Sequence, residues 1–232
     1  MNKNSFEAEL LHTPFDKEDA YHSLSMPVYN TAAYEFDTAE AMEEAFCGRT
    51  ADHAYSRITN PTVQYFEKRI QTITGALSVT ALNSGMAAIS NIFFTLAQAG
   101  ANIVTSAHLF GNTYSFFKST LAAFGVEVRF CDLTNPEAVR AQVDENTCAV
   151  FLEVITNPQL EVADLKVLSG IAHQIGAPLI ADTTVVPFHI FHANEFGVDI
   201  EIVSSTKYIS GGAIFSHSSC SFPKRSSYFL SL

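Results

Sequence analysis

The sequence contains few basic residues. Lysine and arginine together number 13 against 24 aspartates and glutamates, which gives a formal net charge of −11 and a pI near 5.1. Nucleic acids and anionic membranes are bound by clustered Lys and Arg side chains, so this composition argues against both as partners. The sequence therefore predicts a small-molecule partner.

Several patterns that would indicate a metal, a disulfide or a membrane are missing. The four cysteines form no Cys-x-x-Cys pair, and the eight histidines show no His-Glu-x-x-His spacing. Neither a zinc site nor a disulfide framework is therefore predicted, and we expect a reducing compartment. The start of the chain resembles no secretory signal, and no apolar stretch reaches the roughly 18 residues of a membrane span. We expect a cytoplasmic protein that binds no metal.

Segments typical of strands alternate with segments typical of helices from Pro61 onward. Apolar strands such as ALSVTAL, TCAVFLEVI and APLIAD are separated by helical stretches of about 10 to 15 residues. This alternation predicts an α/β fold with a mainly parallel sheet covered by helices on both faces. In such sheets, ligands bind at the carboxyl ends of the strands.

The two ends of the chain differ from this central part. Residues 1–60 show no sustained period except in an acidic helical patch, DTAEAMEEAF, which Asp37 or Thr38 could cap, and they are predicted to form an N-terminal arm. Residues 61–213 are predicted to form the ligand-binding domain, and residues 214–232 a divergent tail. The tail is rich in serine, has no strand or helix period, and is interpreted either as a mobile loop or, as we favour, as the product of a cut or a change of reading frame.

Lys207 follows an apolar strand in the string SSTKYISGG. The hydroxyl residues before it and the glycine pair after it could contact an anion, and a desolvated lysine can act as a nucleophile toward a carbonyl. A solvated loop lysine is the alternative for this segment alone. Asp182 ends the apolar strand APLIAD, where a carboxylate is costly unless it meets a cation or caps the next turn. A protonated pyridine nitrogen would be such a cation, and a Schiff-base lysine with an aspartate on the ring nitrogen is how proteins hold pyridoxal phosphate.

The string NSGMAA forms a turn between a strand and a helix. The free N–H groups at the start of that helix, together with its dipole, could bind a phosphate. Such junctions are common in α/β proteins. No Walker loop and no Gly-x-Gly-x-x-Gly fingerprint indicates a nucleotide instead.

Six strings, in order, carry a resemblance that covers residues 20 to 213. YSRITNPT, NSGMAA, LFGNTY, FLEVITNP, ADTT and SSTKYISGGA resemble the Cys/Met-metabolism family of pyridoxal-phosphate enzymes, particularly its O-acetylhomoserine sulfhydrylase branch. The resemblance implies a fold-type I transferase, pyridoxal 5'-phosphate as cofactor, and a homodimer or homotetramer.

The resemblance also implies roles for individual residues. Lys207 would form the Schiff base with the cofactor, and Asp182 would pair with the pyridine nitrogen, with Thr184 nearby. Asn157 would lie near the cofactor O3 and the substrate carboxylate, with Glu153 four residues earlier. The implied phosphate ligands are Ser204, Thr206, Gly85 and Met86, and from the neighbouring subunit Tyr55 and Arg57.

Two departures from the family pattern matter. Phe110 stands where much of the family stacks a tyrosine on the cofactor ring, so stacking is kept but a phenol is lost, and proton transfer is expected to depend on Lys207 and Tyr55. After GGA, the family continues into a glycine-rich segment and a C-terminal domain with the arginine that binds the substrate carboxylate. Both are expected to be missing here.

The implied reaction is γ-replacement on an O-activated homoserine by sulfide or a thiol. The cystathionine γ-synthase and γ-lyase branch is the alternative within enzymes, although SGGA without a histidine after the first glycine favours the sulfhydrylase branch. The alternative from another class is a truncated, non-catalytic fragment.

Overall fold

The computed structural model describes residues 6–15, 21–186, 188–211 and 218–223. These residues form two compact units, which divide between Ile73 and Thr74. The N-terminal arm predicted from the sequence ends at residue 60, before this division. The assignment of an arm, a ligand-binding domain and a tail stays a prediction. Of the predicted tail, only 218–223 are described. Gly212, Lys224 and Arg225 lie outside the described residues.

The first unit is built on three helices, which are α1 (Phe6–Leu11), α2 (Ala39–Phe46) and α3 (Pro61–Thr74). The predicted cap of α2 is Thr38, whose hydroxyl accepts a hydrogen bond from the amide of Ala41 at 3.1 Å. Helix α1 was not predicted. Asn60 is buried just before α3, and its side-chain amide donates to the carbonyl of Tyr29 and to the hydroxyl of Ser56. Asn60 thereby joins the segment around Tyr29 to the segment just before α3.

The second unit contains a seven-stranded sheet. Its strands are β1 (Ala76–Leu82), β2 (Asn102–Thr105), β3 (Glu127–Phe130), β4 (Thr147–Glu153), β5 (Leu179–Asp182), β6 (Ile200–Ser204) and β7 (Ser218–Pro223). The spatial order is β1-β7-β6-β5-β4-β2-β3. Strand β7 pairs antiparallel with both of its neighbours, and the pairs among β2 to β6 are parallel, which confirms the mainly parallel sheet.

The helices of this unit cover both faces of the sheet. They are α4 (Gly85–Leu96), α5 (Gly111–Ser115), α6 (Pro136–Arg140) and α7 (Leu165–Gln174), with a π-helical turn at Phe116–Leu121 after α5 and a 3₁₀ turn at Ala193–Phe196. Alternate residues of β4 divide between two cores: Phe151 packs in the cluster with α4, and Leu152 in the cluster with α7. Both strand faces are therefore buried, as the continuous apolar runs predicted.

The tail prediction was wrong in one respect. Residues 218–223 were expected to show no regular structure, but they form β7 between β1 and β6. Their serine-rich sequence, SSCSFP, contains only two alternating apolar residues, Cys220 and Phe222, which is too short a pattern from which to predict a strand. None of the helices in the described ranges is long and apolar enough to cross a membrane.

Candidate active site

One cavity of about 720 Å³ lies at the carboxyl edge of the sheet. Residues following β1, β2, β4, β5 and β6 line it, because parallel strands end at the same edge. The sequence-predicted residues of the second unit all line this cavity: Gly85, Met86, Phe110, Asn157, Asp182, Thr184, Ser204, Thr206 and Lys207. The fold thus brings together residues as far apart in the sequence as Gly85 and Lys207, which are 207 − 85 = 122 positions apart.

Asp182 ends β5 and is held in place by its neighbours. The amide of Thr184 donates to Asp182 Oδ1 at 2.9 Å, and Thr184 Oγ1 in turn accepts the amide of Ser204 at 2.9 Å. Burial raises the pKa of the Asp182 carboxyl above its ordinary value, although the hydrogen bonds from Thr184 oppose this shift. In the described part of the chain, Asp182 forms no ion pair. A cation in the cavity would therefore be stabilised beside it.

The turn before α4 presents its amides to the same cavity. Ser84 caps the helix by accepting the amide of Ala87 at 3.1 Å, so the N–H groups of Gly85 and Met86 at the first turn have no intrahelical acceptor. Ser84 lines the cavity together with Ser204 and Thr206. Free amides and hydroxyl groups at the start of a 12-residue helix are suited to a phosphate.

Lys207 lies directly after β6, and its amide donates to the carbonyl of Ser204 at 3.1 Å. The turn is stabilised further by Ser210, whose hydroxyl donates to the carbonyl of Thr206 at 3.0 Å. Lys207 is exposed in the structure, which agrees with the alternative of a solvated loop lysine rather than with a desolvated one. Lys207 is placed in the cavity because β6 ends at Ser204, three residues earlier, and the chain then turns along the edge of the sheet.

Phe110 and Asn157 lie on two loops at the rim of the cavity. Phe110 is 51% exposed and immediately precedes α5, and Asn157 is exposed and precedes a cis peptide bond to Pro158. An exposed aromatic ring at a cavity mouth can stack on a planar ligand.

Glu153 is the residue to which the sequence reasoning gave a place but no role. It ends β4, is 8% exposed, lines the cavity, and accepts a hydrogen bond from the amide of Phe110. Burial raises the pKa of Glu153 to about 7. A role for Glu153 could have been predicted from the same sequence feature that indicated Asp182, since each is a carboxylate at the end of an apolar strand.

Tyr55 and Arg57 lie in the first unit. Tyr55 forms an isolated antiparallel bridge with Ala33, and the Arg57 guanidinium lies 5.2 Å from the centre of the Tyr55 ring. This cation–π contact keeps the two side chains adjacent. Arg57 is exposed, so its donors are accessible to a partner.

A parallel sheet whose carboxyl edge holds a lysine, a carboxylate for a cation, helix amides for a phosphate and an aromatic ring defines the class of enzymes that use pyridoxal phosphate. The chain belongs to the family of Cys/Met metabolism PLP-dependent enzymes, whose sequence model matches residues 7–215.

Known proteins similar to the chain agree with this assignment. The O-acetyl-L-homoserine sulfhydrylase of Corynebacterium glutamicum is 36% identical over 207 residues, which are 89% of this chain and 47% of that protein. The L-methionine gamma-lyase of Fusobacterium nucleatum is 36% identical over 212 residues, which are 91% of this chain and 53% of that protein. The chain therefore spans about half the length of the curated relatives that it matches.

A solved structure extends the similarity to the fold. A protein of Campylobacter jejuni assigned as an O-acetylhomoserine (thiol)-lyase superposes with a TM-score of 0.90 at 29% identity, covering 96% of this chain and 52% of that chain. That structure contains a pyridoxyl-lysine phosphate. The fold-type I architecture predicted from the sequence is thereby confirmed, as is pyridoxal phosphate as the cofactor of the family.

Proposed function

We propose that the protein is a pyridoxal-phosphate-dependent transferase that replaces the γ-substituent of an O-activated homoserine with sulfide or a thiol. The observation that carries the proposal is the single cavity in which Lys207, Asp182 and the amides of Gly85 and Met86 meet. When bound, pyridoxal phosphate supplies an electron sink for the bonds at the substrate α-carbon.

The residues present fit this cofactor. Asp182 would compensate a protonated ring nitrogen, since its own carboxyl is buried without an ion pair among the described residues. Thr184 would keep the Asp182 carboxyl oriented, and the amides of α4 with Ser204 and Thr206 would hold the phosphate. Phe110 would stack on the ring, and Asn157 would lie near the O3 oxygen. Lys207 would anchor the cofactor through Nζ.

Lys207 would also move protons in the reaction. Its amine would remove a proton from the substrate α-carbon and, once it has released that proton, another from the β-carbon, so that the γ-substituent leaves with its bonding electrons. After a sulfur nucleophile adds to the γ-carbon, Lys207 would return protons to the β-carbon and the α-carbon. Phe110 has no phenol to share this task. Tyr55 is the second proton-transfer residue that we propose, and it would act with Arg57 at the phosphate of a neighbouring subunit. The protein would then work as a homodimer or homotetramer, in the cytoplasm.

Borohydride reduction tests the anchoring residue, because it makes the bond between a lysine and the cofactor permanent. After incubation with pyridoxal phosphate and reduction, mass spectrometry should find the added mass on the peptide that contains Lys207. The control Lys118→Ala should be labelled equally, since Lys118 Nζ contacts Tyr114 outside the cavity. Lys207→Ala should carry no label. Labelling of another lysine, or none in the wild-type protein, would contradict the assignment.

The nucleophile is tested separately. Turnover of O-acetylhomoserine should be faster with sulfide than with cysteine, whereas a preference for cysteine would favour the cystathionine γ-synthase alternative. Release of a thiol from methionine, without a nucleophile, would favour a lyase, the activity for which one relative is named. A protein that binds the cofactor but turns over none of these substrates would support the non-catalytic alternative.

A further inference from the structure

Glu153 connects two loops of the cavity through its carboxyl group. The carboxylate accepts a hydrogen bond from the backbone amide of Phe110, in the segment after β2. The backbone amide of Asn157, in the loop after β4, also faces this carboxylate and opposes the rise of its pKa. Both residues line the cavity, and both are exposed. Glu153 itself is 8% exposed, so the group that holds the two rim residues is fixed in the body of the fold.

Capping of α5 alone does not account for a carboxylate at this position. The amide of Phe110 needs an acceptor because it lies at the start of the helix, but a neutral amide or hydroxyl oxygen would provide one. A carboxylate here is costly, since it is buried and its direct register partner on β5 is Asp182, whose charge further disfavours ionisation. The carboxylate adds a second oxygen, so the group that accepts from the Phe110 amide can also attract the Asn157 amide from another direction.

We propose that Glu153 is a positioning residue for the cofactor: its carboxyl group holds the Phe110 ring and the Asn157 amide in the places from which they contact the bound pyridine ring. This inference rests on the proposed function. It adds a residue that acts through the two that contact the cofactor ring. Without Glu153, the Phe110 ring would be free to take several orientations at the cavity mouth.

Circular dichroism in the visible range tests the proposal, because the signal of a bound cofactor depends on the orientation of its ring in asymmetric surroundings. Three variants of the full protein are compared with the wild type at saturating pyridoxal phosphate. Glu153→Ala should lose most of the visible signal per bound cofactor and bind pyridoxal phosphate about tenfold more weakly. Glu153→Gln should recover a large part of both, since its amide oxygen can still accept the hydrogen bond from the Phe110 amide. Glu137→Gln is the control, on the exposed surface of α6.

Glu153→Ala with the wild-type signal and affinity would overturn the proposal, as would Glu153→Gln with no recovery over Glu153→Ala. If Glu153→Ala does not fold, hydrogen exchange in the unmodified protein decides. The Phe110 amide should exchange slowly, because it is bonded to a buried carboxylate, and rapid exchange would overturn the inference. Failure of the proposed function is distinct, since the wild-type protein would then show no borohydride-trapped Lys207.

Discussion

Glu153 and Asp182 are direct register partners on the neighbouring parallel strands β4 and β5, and each is the last residue of its strand. Two carboxyl groups therefore end at the same edge of the sheet, where burial raises the pKa of both. A cation bound between the strand ends would lower the cost of both charges.

The first prediction concerns the pH dependence of stability in the cofactor-free protein. The pKa of Glu153 is about 7 in the folded state against an ordinary 4.5, so folding favours its protonated form. Its contribution to stability is fully present below about pH 4.5 and is lost as the pH rises to about 7, a change on the order of 2 kcal/mol. Asp182 acts in the same direction. Urea unfolding of Glu153→Gln should therefore show a flatter pH dependence in this window than the wild type.

Asp144 provides the contrast for that measurement. Its hydrogen bond with Arg129 lowers the pKa of Asp144 to about 2, so its contribution is present above its ordinary pKa of 3.8 and is lost as the pH falls toward 2. Asp144→Asn should alter the acid side of the stability curve and leave the slope between about pH 4.5 and 7 as in the wild type. The same slope in Glu153→Gln and wild type would count against the Glu153 assignment.

The second prediction compares two adjacent phenylalanines of α4. Phe93 is fully buried, with its ring 4.7 Å from that of Phe117 and 5.6 Å from that of Phe151. Phe93→Ala should cost about 3 to 5 kcal/mol of unfolding free energy, because it removes a ring from a packed core. Phe94 is 51% exposed and contacts Phe116 and Phe124, so Phe94→Ala should cost about 1 kcal/mol. Urea unfolding measures both, and equal losses would show that the core is not centred on Phe93.

The third prediction compares two glycines near the opposite end of the sheet. Gly197 has a φ of +82°, and a β-carbon there would lie 2.2 Å from Ser169 Oγ. Gly197→Ala should destabilise the protein by about 2 kcal/mol or more, since both the backbone and the buried Ser169 must shift. Gly170 lies in α7 with open space around it, so Gly170→Ala should raise stability by about 0.5 to 1 kcal/mol. Thermal unfolding of both variants is the measurement, and a neutral Gly197→Ala would contradict the geometry.

The fourth prediction concerns the missing phenol and rests on the proposed function. Phe110 is 51% exposed, so Phe110→Tyr should change stability by less than about 0.5 kcal/mol. A hydroxyl at the cavity mouth would add an acid or base beside the substrate and should raise kcat, by up to about 10²-fold. Phe110→Leu is the control, because it removes the ring, and it should weaken cofactor binding. Unchanged kcat in Phe110→Tyr would indicate that Lys207 and Tyr55 alone set the proton-transfer rate.

The sequence predicted much of the second unit because its strands are apolar on both faces. Val150 and Phe151 face different cores, and such runs, separated by helical periods, predict a parallel sheet. Residue type restricted the cap of α2 to Asp37 or Thr38, and the structure shows that Thr38 is the cap. The cavity residues Asp182 and Lys207 could also be predicted, because each lies at or shortly after the end of an apolar strand.

Other features depend on contacts remote in sequence and could not be predicted. The π-helical turn at Phe116–Leu121 continues α5 without any change in the residue pattern. The contact of Glu153 with Phe110 depends on the order in which β2 and β4 lie in the sheet, which no local pattern contains. A row of hydrogen bonds joins α7 to the start of β6 through Ser169, His173 and Asp199. The contact of His173 with Asp199 again depends on side chains far apart in the chain.

The place of β7 has a consequence for the order in which the protein is assembled. Among the strands that the structure describes, β1 comes first in the sequence, and its hydrogen-bonded neighbour β7 comes last. Strand β1 therefore has no partner in the sheet until β7 has been synthesised. The five strands from β2 to β6 can pair with each other as they emerge. The insertion of β7 beside β6, which also pairs it with β1, is thus expected to be a slow folding step of high contact order.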